Sequence, residues 1–209
     1  MLVKLTMLEK EKYCNLDFSI KKVFFLNLFF LFFFLTNQSL ADLKENLFNK
    51  LIYTETLTFN FEQKIGEKEE TGNCFIKYPL MMKCNYQNSK QKILISNGKT
   101  VAINKKKYKK IYYYPIKSTP LFIILNKETM LNLIKNNKLS DTDLNTVEFE
   151  FIDKKKNKLK ILFDKKTLDL KGWKTKDSYS NEVTFNIKNL KINNQIMDNF
   201  FKIPQEEDL

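Results

Sequence analysis

The chain has 209 residues and a formal net charge of +12; it contains no histidine, and all 36 of its basic residues are lysine. Without imidazole, the HExxH zinc site, the Ser-His-Asp triad and the Cys-His couple are excluded. Apolar residues at 43% against 29% charged exclude a disordered tail.

The first legible feature is an address. Lys21-Lys22 precede Val23–Leu35, which is apolar except for Asn27; Thr36–Gln38 and the small-x-small Ser39-Leu40-Ala41 follow. That is the order of a secretory signal peptide, and its apolar run is short of the about 20 residues that span a bilayer. Cleavage is expected after Ala41, which divides the chain into a leader of residues 1–41 and one globular domain of residues 42–209. The alternative is a retained segment and a signal-anchored membrane protein. Cys14 lies in the leader, and no Cys directly follows the apolar run, so no lipid attachment to this chain is expected. Residues 1–20 read as an extended n-region or a misassigned start. The mature domain would keep 31 Lys against 21 acidic residues, and an exported chain of that charge points away from nucleic acid.

The domain opens with a helix. Asp42 and Glu45 have the spacing of a capping box, and Leu43, Leu47, Phe48, Leu51 and Ile52 share one face. The period then drops to two, with Leu57, Phe59 and Phe61 alternating with polar residues. Gly66 to Glu70 reads as a charged turn. Gly72–Tyr78 and Leu80–Tyr86 read as strands joined at Pro79. Lys92–Ser96 and Lys99–Ile103 flank Asn97-Gly98, a strong hairpin signal. The consecutive Ile93, Leu94 and Ile95 suit a strand covered on both faces. Lys110–Tyr114 follows, with Tyr112 to Tyr114 expected in strand and core.

Ser118-Thr119-Pro120 opens a short apolar helix over Leu121–Leu125, and a second covers Glu128–Asn136. Strands are expected over Val147–Ile152, Lys158–Asp164, Leu168–Thr175 and Glu182–Ile187, with Phe200 and Phe201 packed near the end. About six strands, a helical insert and four or five strands make an α+β protein. Its large antiparallel sheet would curl into an unclosed β-barrel, with the helices covering the mouth.

Several of these pieces, in this order, resemble the periplasmic outer-membrane lipoprotein carrier (LolA) family. They are Leu57-x-Phe59-x-Phe61-x-Gln63, Gly72-x-Cys74-x-Ile76-x-Tyr78-Pro79, Lys83-x-x-Tyr86, Ile95-Ser96-Asn97-Gly98-Lys99, Tyr114-Pro115-Ile116-x-x-Thr119-Pro120-Leu121 and Leu170-x-Gly172-Trp173-x-x-x-Asp177. The resemblance covers nearly all of the mature chain. It implies a half-barrel with an apolar cavity that shields lipoprotein acyl chains in the periplasm. It also implies partners: an inner-membrane ABC transporter that releases the lipoprotein, and an outer-membrane acceptor or the outer membrane itself. A monomer is expected, with no catalytic residue, cofactor, metal or nucleic acid. The competing class is a secreted enzyme acting on lipid or envelope polymer, for which no Gly-x-Ser-x-Gly or other nucleophile and base is present.

The resemblance places acyl-chain contacts at Phe59, Phe61, Met82, Ile93 and Ile95, with Leu121, Phe122 and Leu125 in the lid. It places the tie between lid and barrel at Tyr78, Lys83 and Pro120. Tyr78 departs from the arginine common in the family; it keeps a hydroxyl that can donate to a carbonyl but has no charge. The lysine runs 105–107 with 109–110, and 154–156 with 158, read as solvated turns, or as attraction to anionic headgroups or an acidic partner. Glu67, Glu69 and Glu70 read as a turn. Cys74 and Cys84 each lie five residues from Pro79, so a hairpin centred there would oppose them. The alternatives are a disulfide and two reduced thiols in the core.

Overall fold

The structure is a computed structural model, and it describes residues 40–87, 91–152, 158–177 and 179–205. The leader signals at residues 1–39, the lysine run at 154–156 and the last four residues lie outside that range.

Helix α1 (Leu40–Ile52) precedes strands β1 (Thr56–Ile65), β2 (Lys68–Lys77), β3 (Met81–Tyr86), β4 (Lys92–Asn97), β5 (Thr100–Lys105) and β6 (Lys110–Pro115). Two short helices follow, α2 (Leu121–Leu125) and α3 (Lys127–Asn136). Then come β7 (Leu139–Asp143), β8 (Thr146–Ile152), β9 (Lys158–Asp164), β10 (Leu170–Lys176) and β11 (Glu182–Ile192), and a closing 3-10 turn at Asp198–Phe201. The strands form one antiparallel sheet in the order β6-β5-β4-β3-β2-β1-β11-β10-β9-β8-β7. Both β6 and β7 are edges, so the barrel is unclosed.

Most elements lie where the sequence puts them. Helix α1 already includes Leu40, so Asp42 sits in its first turn, where a carboxylate meets the positive end of the helix dipole, and does not cap it. Helix α3 is capped by Asn126, whose side chain accepts from the Thr129 N–H at 2.8 Å. Strand β7 gives no sequence signal, because Leu139–Asp143 is polar and has no alternating apolar set.

Register decides which side chains share the concave face, because opposed residues in a ladder point the same way. Phe59 opposes Cys74, Cys74 opposes Cys84, and Cys84 opposes Leu94. On the next row, Leu57, Ile76, Met82 and Ser96 are opposed in turn. From the other half of the sheet come Phe185, Trp173, Ile161 and Phe149. Leu47 and Leu51 of α1, Ile124 and Leu125 of α2, and Met130 and Ile134 of α3 belong to the same apolar cluster. The helices therefore close the concave side.

The convex side has its own small cover. Phe75, Lys83, Ile95 and Ala102 are opposed along one row. Phe200 packs edge-on against Phe75 with ring centroids 4.9 Å apart, and Phe201 is buried. This is why β4 carries three consecutive apolar residues: Leu94 faces the concave cluster, and Ile93 and Ile95 face the convex side.

Candidate functional site

The site begins at the β2–β3 turn, Tyr78 to Leu80, which carries the connection between sheet and lid. The Leu80 N–H donates to the Leu125 carbonyl at the end of α2 at 2.9 Å, and the Ser96 hydroxyl donates to the Leu80 carbonyl at 2.6 Å. Just past α2, the Lys127 ammonium donates to the Ile52 carbonyl of α1 at 3.0 Å and lies 5.6 Å over the Tyr78 ring. At the far end of α3, Lys44 donates to the carbonyls of Lys135 and Asn137. The helical cover is thus tied at its ends by a few hydrogen bonds. Between these ends Ile124, Leu125, Met130 and Ile134 pack into the apolar cluster.

A groove of about 820 Å³ opens at this mouth, lined among others by Phe48, Tyr78, Leu80, Lys127 and Leu131. Behind it the concave face is packed. Phe59, Phe61 and Met82 are at most 2% exposed, and Ile124 and Leu125 fill the space beneath α2. Pro120 is exposed at the head of α2, where its fixed φ suits a helix start. Leu121 and Phe122 are half-buried against the cluster.

Of the residues named from sequence, Phe59, Phe61 and Met82 share the concave face with the lid residues. Ile93 and Ile95 do not belong to that set. They oppose Asn85 and Lys83, on the convex side, because strand residues one apart point to opposite faces. Lys83 likewise faces away from the lid, with its ammonium 4.3 Å over the Phe200 ring and 3.4 Å from the Phe200 carbonyl. Tyr78 sits at the lid, but its buried hydroxyl has no hydrogen-bond partner among the described residues, and burial pushes its pKa up. The tie runs through the Leu80 backbone instead, a signal that no side-chain pattern carries. Cys74 and Cys84 are directly opposed, with Cα atoms 4.1 Å apart, and are joined as a disulfide.

The concave face also carries an aromatic row that the sequence reading left unassembled. Trp173 stacks on Phe185 at 4.0 Å, Phe185 stacks on Phe61 at 4.8 Å, and Phe61 meets Tyr86 edge-on at 4.9 Å. Gly72 makes room for it, since a Cβ there would lie 2.7 Å from the Phe61 ring and collide with the Asn85 carbonyl.

The row ends in a polar group remote from the lid. Tyr86 donates to Gln63 at 3.0 Å, Lys92 lies 3.6 Å over the Tyr86 ring, and Lys92 and Lys68 each donate to Glu70 at 2.6 Å. Glu70 is therefore a buried strand residue, its side chain 3% exposed, and not part of a turn. Burial alone would raise its pKa, but the two ammonium groups outweigh burial and hold it below the ordinary value.

Tyr112 to Tyr114 are in strand as expected but not in core: β6 is an edge, and all three are exposed. Among the described residues no group of three His, Cys, Asp or Glu is placed to hold a metal, and no helix is long and apolar enough to cross a membrane.

Comparison with known families now decides the lineage. The profile of the outer membrane lipoprotein carrier protein LolA matches residues 53–204. The chain belongs to the LolA family. The fold is similar to an uncharacterised conserved protein from Thermus thermophilus, at 7% identity and a TM-score of 0.50, covering 80% of this chain and 96% of that one. A LolA superfamily protein from Nitrosomonas europaea is similar at 6% identity over 80% and 99% of the two chains, with a TM-score of 0.44. The MucA/MucB complex of Pseudomonas aeruginosa includes a chain 9% identical over 79% of this chain and 62% of that one, with a TM-score of 0.45. No curated protein sequence matches. The LolA fold is a binding and carrier fold.

Proposed function

We propose that the protein is a periplasmic carrier that takes lipoproteins released by an inner-membrane ABC transporter, shields their acyl chains, and passes them to an outer-membrane acceptor or to the outer membrane itself. The observation that supports this reading most is the lidded concave face: an unclosed sheet whose apolar side is covered by α2 and α3. Acyl chains gain about 0.8 kcal/mol per buried CH₂, or about 12 kcal/mol for a chain of about 16 carbons. Cargo of that kind needs a shielding surface to cross water, and it needs to leave again. A lid held by apolar packing and a few terminal hydrogen bonds suits both. In its closed state Phe59, Phe61, Met82, Leu121, Phe122 and Leu125 satisfy one another; on opening they would meet the acyl chains.

The disulfide between Cys74 and Cys84 supports export, since such bonds persist in oxidising compartments. The test is native mass spectrometry of the protein isolated from envelope extracts. The reading expects a mass increment that fragments to a lipidated polypeptide. Protein recovered only without lipidated cargo, from cells with active lipoprotein export, would count against it.

A further inference from the structure

Between Glu70 and Glu128 the sequence holds twelve lysines and no carboxylate side chain, which equals the formal net charge of +12 of the entire chain. The remainder is balanced. That acid-free stretch builds most of β2, all of β3 to β6, and helix α2; Lys77 and Lys92 meet Asp198 and Glu70 from outside it, and five of the other lysines, 105–107 with 109 and 110, gather at the β6 edge of the sheet. At the β5–β6 connection, Lys106, Lys107, Lys109 and Lys110 are exposed, and Lys105 lies 4.9 Å over the Tyr112 ring. Tyr108, Tyr112, Tyr113 and Tyr114 stand beside them, each between 41% and 50% exposed.

We propose that this edge docks on an anionic lipid surface. Tyrosine carries an apolar ring with a polar tip, and lysine an apolar stem with a charged head; both suit the boundary between headgroups and acyl chains. A polybasic surface is drawn to anionic headgroups within a Debye length and needs no fixed geometry from its partner. An acidic protein adding a strand to this edge is disfavoured, because β6 is short, starts at Lys110 and ends at Pro115, features that blunt strand addition. By register Tyr112 and Tyr114 continue the concave rows through Ile103 and Val101 to the open edge, and Tyr113 faces the convex side with Ala102, so the edge offers rings on both sides; vesicles without an acylated ligand test this proposal apart from acyl-chain binding.

The test is co-sedimentation of the full chain with lipid vesicles free of lipoprotein. Neutral phosphatidylcholine vesicles set the baseline for any uptake through Val23–Leu35. Vesicles with about 30% phosphatidylglycerol should bind at least about tenfold more tightly at about 50 mM salt, and the preference should vanish near about 500 mM. Replacing Lys106, Lys107, Lys109 and Lys110 with Gln should abolish most of the preference. The matched change of Lys154, Lys155, Lys156 and Lys158 to Gln, which removes the same charge elsewhere, should leave most of it. Equal loss in both variants would show a general charge effect and overturn the proposal. Retention on immobilised polyglutamate with no preference for anionic vesicles would assign the edge to an acidic protein and overturn it equally.

Discussion

Tyr78→Phe is the most revealing single change. It removes one oxygen and leaves the ring beneath Lys127 in place. In the closed state that hydroxyl is buried with no partner among the described residues, and such a group costs about 1–3 kcal/mol in lost hydration. Its removal should therefore stabilise the protein, by about 1–2 kcal/mol, where removing a satisfied tyrosine hydroxyl would destabilise it. For a domain of about 170 residues each kcal/mol shifts Tm by about 2–4 °C, so thermal unfolding should rise by about 2–8 °C. The same free energy would hold the lid shut, so the apparent Kd for an acylated ligand should increase about 5–30-fold. Thermal unfolding by circular dichroism, with ligand titrations of both proteins, reads both effects. A lower Tm for Tyr78→Phe would refute the reasoning, because it would mean that the hydroxyl has a partner in the native protein.

Three further outcomes follow from the same geometry. Glu70→Gln removes the buried carboxylate that meets half-buried Lys92 and should cost about 1–3 kcal/mol at neutral pH in denaturant unfolding. Because the folded-state pKa of Glu70 lies below its ordinary value of 4.5, its contribution is present above that value and is lost as pH falls through the folded pKa. The stability gap between the two proteins should therefore close in acid, and a gap that persists at low pH would rule out the ion pair as its source. Gly72→Ala drives a methyl into the Asn85 carbonyl and the Phe61 ring, and should cost about 1–3 kcal/mol by the same assay; a neutral effect would mean that the aromatic row does not rest on Gly72. Cys74 and Cys84 should resist alkylation until reduced, with the bridge contributing roughly 2–3 kcal/mol for its short loop; ready labelling of the native, unreduced protein would show free thiols.

Much of this fold is legible in the sequence, since alternation at Leu57, Phe59 and Phe61 and the Asn97-Gly98 turn each fix local structure through one strong period or turn. The Cys74–Cys84 pairing is legible because counting outward from Pro79 gives the right register. The same counting is not available for Ile93 and Ile95. Three consecutive apolar residues leave the facing of a strand undetermined, and only its partner Lys83, held against Phe200, shows that they point outward. The tyrosines at 112 to 114 have the propensity of core strand residues, but propensity does not distinguish an edge from a centre. The Leu80–Leu125 tie uses backbone groups, which every residue has, and Glu70 meets Lys92 across twenty-two residues with no local sign of it.

The central claim, that the concave face receives acyl chains, is open to one direct measurement. Trp173 is the single tryptophan, and it lies in that face, stacked on Phe185. Titration of the protein with a synthetic diacylated lipopeptide should give a saturable change in Trp173 fluorescence at one ligand per chain, and the same peptide without its acyl chains should give none. An identical response to the unacylated peptide, or no response to either in a protein shown to be folded, would contradict the account.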